Sequence, residues 1–388
     1  MIHVGYFSNQ FASSKGHGIT RYAQHLYNAL LQNKGSLTLH PVSASTNGTL
    51  EEINALKLRT GLQVLPWGRK LTPLAWIFFN FPFLENGITN QIDIVHALSL
   101  GYKVATLKPY VVTIHDIGPL THPQFFTKKD QWFMMGSLKQ AVNQAAAMIC
   151  VSQATADAVE DYALANYNQS VKERLHVVNE GVDSAFFKVP KLENITDFHI
   201  VELLIDTPFV LTVGQISPRK NLQTVLRAFN KLKDKLPNLQ LITVGGNGWD
   251  FGKVKEKVKM LGLENKVHFL GYVSDELLRF LYRKAVVFVY PSLFEGFGLT
   301  ILEAMASSCP VITSNTKSLS EVSDDAAILI NPKDVDELSA NILLVSTNKK
   351  IREKMITKGL QRAKTFTWKR AAQLTNNIYS KIINSSFK

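Results

Sequence analysis

Twice along this chain, short apolar runs of strand length alternate with amphipathic segments, a rhythm that limits the fold to parallel sheets covered by helices. In the first half Ile2–Phe7, Gln63–Leu65, Ile92–His96, Tyr110–Ile114, Ala147–Val151 and Leu175–Val178 read as strands, while Ile19–Leu31 and Lys128–Ala146 carry helical spacing. At Pro208 the rhythm restarts. Phe209–Val213, Leu239–Val244, Val267–Leu270, Val286–Tyr290, Val311–Thr313 and Ala327–Ile330 read as strands, with helices over Leu222–Leu236, Val254–Leu261, Asp275–Arg283 and Leu299–Ser307. It lapses over 186–207, which places the boundary of two doubly wound α/β domains there, as 388 residues also suggest. We take residues 1–190 as the first domain and 206–370 as the second. In open parallel sheets ligands bind outside the carboxyl ends of the strands, so a cleft between the two sheets is the expected place for a site.

No uninterrupted apolar run is long enough to span a bilayer, and the opening MIHVGYFSN reads as a strand rather than a leader, so a cytoplasmic location is expected. Cys150 and Cys309 stand in apolar surroundings and read as small buried hydrophobes. Residues 1–205 hold 16 Lys and Arg against 15 Asp and Glu, so nearly all of the net charge of +12 lies in the second half. Nucleic acid, an anionic membrane or a phosphorylated small ligand would each suit such a half. The lysines at 253, 255, 257 and 259 spray around a helix and read as a solvated face.

The stretch Pro291–Ser307, PSLFEGFGLTILEAMAS, narrows the choice. It follows a buried-strand run and opens a short helix, so Gly296 and Gly298 occupy a strand-to-helix turn where a ligand can approach the backbone. The first amides of that helix lack intrahelical partners and favour an anion. Glu295 and Glu303, eight positions apart, would repel phosphate but accept hydrogen bonds from vicinal hydroxyls. Diols flanking phosphates describe a nucleotide sugar. The alternative is one glutamate favouring the helix dipole and a second exposed on the far face. Further upstream, Arg219 and Lys220 stand between a strand end at Val213-Gly214 and a helix start, where cations would face a diphosphate.

Glu295 and Glu303 with EGFGLTILEAMA resemble the E-x7-E signature of the retaining glycosyltransferases of family 4, which have the GT-B fold. GHGITRY at 16–22, VTIHDIGPLTHP at 112–123, ICVSQAT, NEGVD, VGQISPRKNL and GYVSDELLRFLY follow in the order that family has. The resemblance implies that Lys220 is a phosphate ligand and that Glu303 holds the ribose. It implies that Glu295 meets hexose hydroxyls, and that Gly296 and the amides of Phe297, Gly298 and Leu299 hold sugar and phosphate. The base would lie near Tyr272-Val273. Many members carry arginine where this chain has Gln215, which leaves more of the work to Arg219. Gly16 and Gly18 would bring amides near the β-phosphate, and His115, in the HD-x-x-P segment, would stand beside the donor sugar. The final helix, 371–388, would pack back on the first domain. No cofactor and no metal are implied, since the nucleotide sugar is a substrate. The D-x-D at Asp334 and Asp336 reads as a helix start. Same-face attack is implied, with the departing phosphate taking the acceptor's proton.

The expected partners are thus a nucleotide-sugar donor and a glycan or lipid-linked glycan acceptor. HD-x-x-P and the RKN triplet favour GDP-mannose, with UDP-sugars the alternative and a nucleotide-sugar epimerase a weaker one. A nucleic-acid binder would interleave aromatics with Lys and Arg on one face, and the second half does not. Leu74–Leu84, LAWIFFNFPFL, is read as a buried helix ended by Pro82; the competing reading is peripheral contact with a membrane surface.

Overall fold

The computed structural model describes residues 1–9, 18–32, 37–46, 49–101, 103–191, 193, 195, 198–204 and 206–386. It divides into two compact units, Met1–Gly181 with Thr367–Lys388, and Val182–Phe366. The chain thus passes into the second unit a few residues before the expected boundary, and returns to the first at its end.

In the first unit the described residues form a parallel sheet of β1 (Ile2–Phe7), β2 (Leu37–Ser43), β3 (Gln63–Val64), β4 (Ile94–Ala97), β5 (Tyr110–Ile114), β6 (Ala145–Cys150) and β7 (Leu175–Val177), in the order β3-β2-β1-β4-β5-β6-β7. The second unit has β8 (Phe209–Val213), β9 (Gln240–Val244), β10 (Val267–Phe269), β11 (Val287–Tyr290), β12 (Val311–Ser314) and β13 (Ile328–Ile330), parallel, in the order β10-β9-β8-β11-β12-β13. Central strands such as β5, β11 and β12 are buried along their whole length, as strands covered on both faces must be. Their uniform apolar sequence follows from that.

The helices of the first unit are α1 (Gly18–Leu31), α2 (Leu50–Thr60), α3 (Gly68–Phe79), α4 (Gly118–Thr121), α5 (Lys128–Gln144) and α6 (Gln153–Tyr167). Those of the second are α7 (Phe198–Leu204), α8 (Leu222–Asn230), α9 (Phe251–Met260), α10 (Asp275–Lys284), α11 (Leu299–Ala306), α12 (Lys317–Ser323), α13 (Val335–Thr347) and α14 (Lys349–Lys364). α15 (Trp368–Ser386) returns to the first unit. Short polar residues start several of them: Thr49 with Glu52 and Thr127 with Asp130 form capping boxes. Asp334 accepts from the amides of Asp336 and Glu337. The D-x-D is therefore a helix cap, as its position suggested.

α2 and α6 were not expected as helices, and three further features depart from the sequence reading. β2 was not expected, because Pro41 interrupts its pattern; the proline sits opposite Tyr6 in the sheet. α8 ends at Asn230, short of Leu236. α3 is not a buried helix. Thr72 and Trp76 point inward, but Leu74, Phe78 and Phe79 are exposed, and the helix ends at Asn80 in the left-handed region (φ 50°), before Pro82. Cys150 and Cys309 are buried and unpaired, and burial pushes the Cys150 thiol up to about 12.

α15 is fixed to the first unit by aromatic and polar contacts. Tyr379 is fully buried, and its hydroxyl lies 2.6 Å from Nδ1 of His96 on β4. Nε2 of His96 lies 2.8 Å from Thr113 Oγ1, which also meets the Tyr22 hydroxyl at 3.1 Å. Burial, with His115 near, pushes His96 down to about 3, so the ring is neutral and bridges one donor and one acceptor. Trp368 stacks on His25 of α1 with centroids 5.3 Å apart. Gly181 makes room for this return: a Cβ there would lie 2.2 Å from the Trp368 nitrogen. Gly181→Ala should therefore destabilise the first unit by about 1–3 kcal/mol, seen as a drop of several degrees in its thermal transition.

Candidate active site

In the second sheet the chain lays β8, β9 and β10 outward to one side, then returns to place β11 on the other side of β8. Order reverses between β8 and β11, and the crevice outside their carboxyl ends is where doubly wound sheets hold ligands. Arg219 and Lys220 follow β8, and Glu295 follows β11. The topology brings together three expected residues that lie some 75 positions apart in sequence.

The two loops are stitched to each other. Leu293 N donates to Arg219 O (2.8 Å), and Ser292 Oγ lies 3.0 Å from the same carbonyl. Asn221, left-handed at φ 57°, sends its amide to Pro291 O and Pro332 O. Gly214 has φ 143°, and a Cβ there would meet Cε of Lys220 at 3.2 Å, so the missing side chain leaves room for the lysine stem.

Glu295 is the centre of the cluster. Arg219 Nη1 lies 2.5 Å from Oε2, and Lys220 Nζ lies 2.7 Å from Oε1. Tyr290 and Ser292 also donate to Oε1, at 2.9 and 2.6 Å. Lys220 Nζ bonds the Tyr290 oxygen as well and sits over its ring, 4.5 Å from the centroid. Burial alone would push the Glu295 carboxyl up, but Arg219 and Lys220, with the bonds from Lys220 and Ser292, outweigh it and hold the group near 2. Burial and the neighbouring carboxylate push the Tyr290 phenol well up, so it remains a neutral donor.

Downstream, Gly298 at φ 108° opens α11, where a Cβ would lie 2.5 Å from Leu319 Cδ2. Phe297 is buried edge-on against Phe366, and Ser318 Oγ donates to Glu295 O at 2.6 Å. These contacts set the turn that carries Gly296 and the amides of Phe297 to Leu299. Glu303 is 5% exposed, with Tyr282 OH donating to Oε2 at 3.3 Å, so it does not lie on a solvent face of the helix. The loops after β8, β9 and β10 pack backbone against backbone: a Cβ on Gly245 would sit 2.3 Å from Gly214 O, and one on Gly248 2.0 Å from Ile216 O. Val273 lies within the last of these loops, half-buried beside the exposed Tyr272.

His115, Gly18 and Gly16 belong to the first unit. Gly16 lies outside the described residues. Gly18 is the first residue of α1, and a Cβ there would meet nothing within 4 Å. His115 follows β5. Its Nδ1 is 3.1 Å from Glu180 Oε1, its Nε2 3.0 Å from Leu98 O, and Tyr22 packs edge-on at 4.6 Å. Glu180 is itself 7% exposed. Sequence reasoning did not single out Tyr290, Ser292 or Glu180; the first closes the strand run, the second follows it ahead of the E-x7-E turn, and the third lies inside NEGVD. Among the described residues no group of three or more His, Cys, Asp or Glu could hold a metal ion.

Because the Glu295 carboxyl is depressed in the folded state, its stabilising contribution is full above the ordinary carboxylate range and is lost as pH falls from about 4.5 to about 2. At neutral pH the Glu295→Gln variant should be less stable by roughly 3 kcal/mol. The gap should close across that acid window in denaturant titrations followed at successive pH values. A constant gap would show that the carboxylate charge contributes nothing.

Both halves of the chain resemble known protein families. Residues 16–186 match the family model described as Glycosyltransferase Family 4, and residues 196–362 match that of the Glycosyl transferases group 1. The chain is 34% identical over 279 residues to the O-antigen chain mannosyltransferase B of Escherichia coli, covering 72% of each protein. It is 29% identical over 271 residues to the O-antigen chain mannosyltransferase RfbU of Salmonella typhimurium, covering 68% of this chain and 69% of that one. Among solved structures, a sucrose-phosphate synthase from Thermosynechococcus elongatus superposes with a TM-score of 0.76 at 19% identity, covering 99% of this chain and 100% of the other. That likeness carries the two-domain GT-B fold. With the fold, the paired family matches and the E. coli relative in agreement, the chain belongs to the family 4 glycosyltransferases.

Proposed function

We propose that this glycosyltransferase moves a mannosyl residue from GDP-mannose to a hydroxyl of a growing glycan or lipid-linked glycan, with retention at the anomeric carbon and without a metal ion. The choice of sugar and acceptor class is supported by relatives named as O-antigen chain mannosyltransferases. The observation that carries the chemistry is the pair Arg219 and Lys220 held on one carboxylate, Glu295, at the switch point of the second sheet.

Two cations sharing one carboxylate leave an excess positive charge beside the first amides of α11. A diphosphate is a stronger partner for both cations than a single carboxylate. On donor binding Arg219 and Lys220 turn to the phosphates, and Glu295, still held by Ser292 and Tyr290, has an acceptor lobe free for sugar hydroxyls. As the bond from the anomeric carbon to phosphate breaks, negative charge grows on the leaving nucleoside diphosphate, where the two cations stabilise it. The acceptor hydroxyl attacks the same face, its oxygen bonds to the anomeric carbon, and its proton passes to the departing phosphate oxygen. Glu303, buried and bonded by Tyr282, is the proposed ribose partner. In the first unit Glu180 orients the ring of His115, the residue we assign to the donor sugar.

Lys220→Ala and Glu303→Ala should each lower kcat/KM by roughly 30- to 1,000-fold, about 2–4 kcal/mol, with the fold retained. Wild-type turnover in either variant would remove that residue from the site. A thermal-shift panel of GDP, UDP, ADP and TDP should give its largest rise with GDP. A largest rise with UDP would replace the donor while leaving the site in place. Turnover unchanged after chelation, and an anomeric configuration in the product that matches the donor, are the expected results for the remaining two points.

A further inference from the structure

From Leu71 onward α3 carries apolar side chains on its outer as well as its inner face, which a surface helix in water has no reason to do. Its inner face carries Thr72 and Trp76, both fully buried, with Trp76 edge-on to Phe7 and its indole N–H donating to Pro82 O. Its outer face carries Leu71, Leu74 and Phe78, spaced by three and four and each roughly half or more exposed. Phe79 and Phe81 continue the patch, at 78% and 54% exposure. On α5, Lys128, Trp132, Met135 and Lys139 follow one another at four, three and four positions, which is one face of a helix; Trp132 and Met135 are exposed and the lysines bracket them.

Between the two helices lies a hollow of about 330 Å³, lined by Ile77 from α3 and Trp132, Phe133 and Met135 from α5, with Lys103 and Lys139 in its wall. Tyr167 also lines it, and the buried Tyr167 hydroxyl has no hydrogen-bond partner among the described residues. No Asp or Glu occurs in α3, and Asp130, the one acid of α5, is engaged in the Thr127 cap. Apolar and aromatic side chains ringed by lysines suit a medium that is apolar inside and anionic at its edge.

We propose that this α3–α5 surface docks on an anionic lipid bilayer. Phe78, Phe79, Phe81 and Trp132 enter the boundary between headgroups and acyl chains, and Lys103, Lys128 and Lys139 pair with lipid phosphates. The hollow takes the apolar part of one lipid, with the Tyr167 hydroxyl bonding its polar end. No helix among the described residues is long and apolar enough to cross a membrane, so the contact is peripheral. The proposal does not depend on the identity of donor or acceptor, and its test needs neither.

The test is co-sedimentation of the full chain with vesicles of phosphatidylcholine alone, or with a third of phosphatidylglycerol. Binding to the anionic vesicles only, weakened by added salt, is expected. The double variants Phe78→Ser with Phe79→Ser, and Lys128→Glu with Lys139→Glu, should each weaken it by roughly tenfold while melting as the wild type does, because the altered side chains are exposed. Gly136 lines the hollow and a Cβ there meets nothing within 4 Å, so Gly136→Leu should fill the space without harming the helix and should also weaken binding. Equal binding by wild type and both double variants, or no binding by the wild type, would overturn the proposal. An unchanged Gly136→Leu would overturn the lipid in the hollow. A wild-type dimer that Phe78→Ser with Phe79→Ser dissociates in the absence of lipid would assign the surface to a second copy instead.

Discussion

Glu295 is nearly out of water and yet ionised, a state that a protein maintains only when opposite charges and hydrogen bonds replace the lost hydration. Arg219, Lys220, Tyr290 and Ser292 supply them, and each is placed by a different part of the β8 and β11 loops. The cluster therefore needs both loops in register. The backbone and Asn221 bonds that join those loops serve that need, and so does Gly214, which yields its volume to the lysine stem. Removing any one partner would leave a buried charge less than matched, the costliest defect available at such a place.

The same crowding governs the strand ends beside it. Where Gly245 and Gly248 meet Gly214 and Ile216, peptide groups are in direct contact and no side chain fits between. At the rim outside β8 and β9 main chain thus lies directly against main chain.

Much of this was legible in the sequence, and the parts that were not share a cause. Strands buried on both faces announce themselves as continuous apolar runs, so β5, β8 and β11 were placed to within a residue or two. β2 was hidden by Pro41. The exposure of α3 could not be read, because LAWIFF has the same pattern whether its outer face meets protein, water or lipid; only the packing of Trp76 against Phe7 fixes which side is inward. Arg219, Lys220, Glu295 and Glu303 were nominated because residue types and turn glycines carry their chemistry locally. Their partners were not. Tyr290 reads as the last residue of a strand, and nothing in its neighbours tells that a lysine 70 positions earlier will lie across its ring. The pairing of His115 with Glu180, and of His96 with Tyr379, depends in the same way on strands and helices distant in sequence being adjacent in space.

The bond between His96 and Tyr379 spans 283 positions, and the helix that supplies Tyr379 is made after the whole of the second unit. During synthesis the amino-terminal unit leaves the ribosome long before its closing helix exists, while the intervening unit is whole and can fold first. Until α15 is made, Tyr22, His25 and His96 lack the Trp368 and Tyr379 contacts that complete the unit. The unit begun first is thus completed only after the second, and loss of α15 would damage the unit that β1 belongs to.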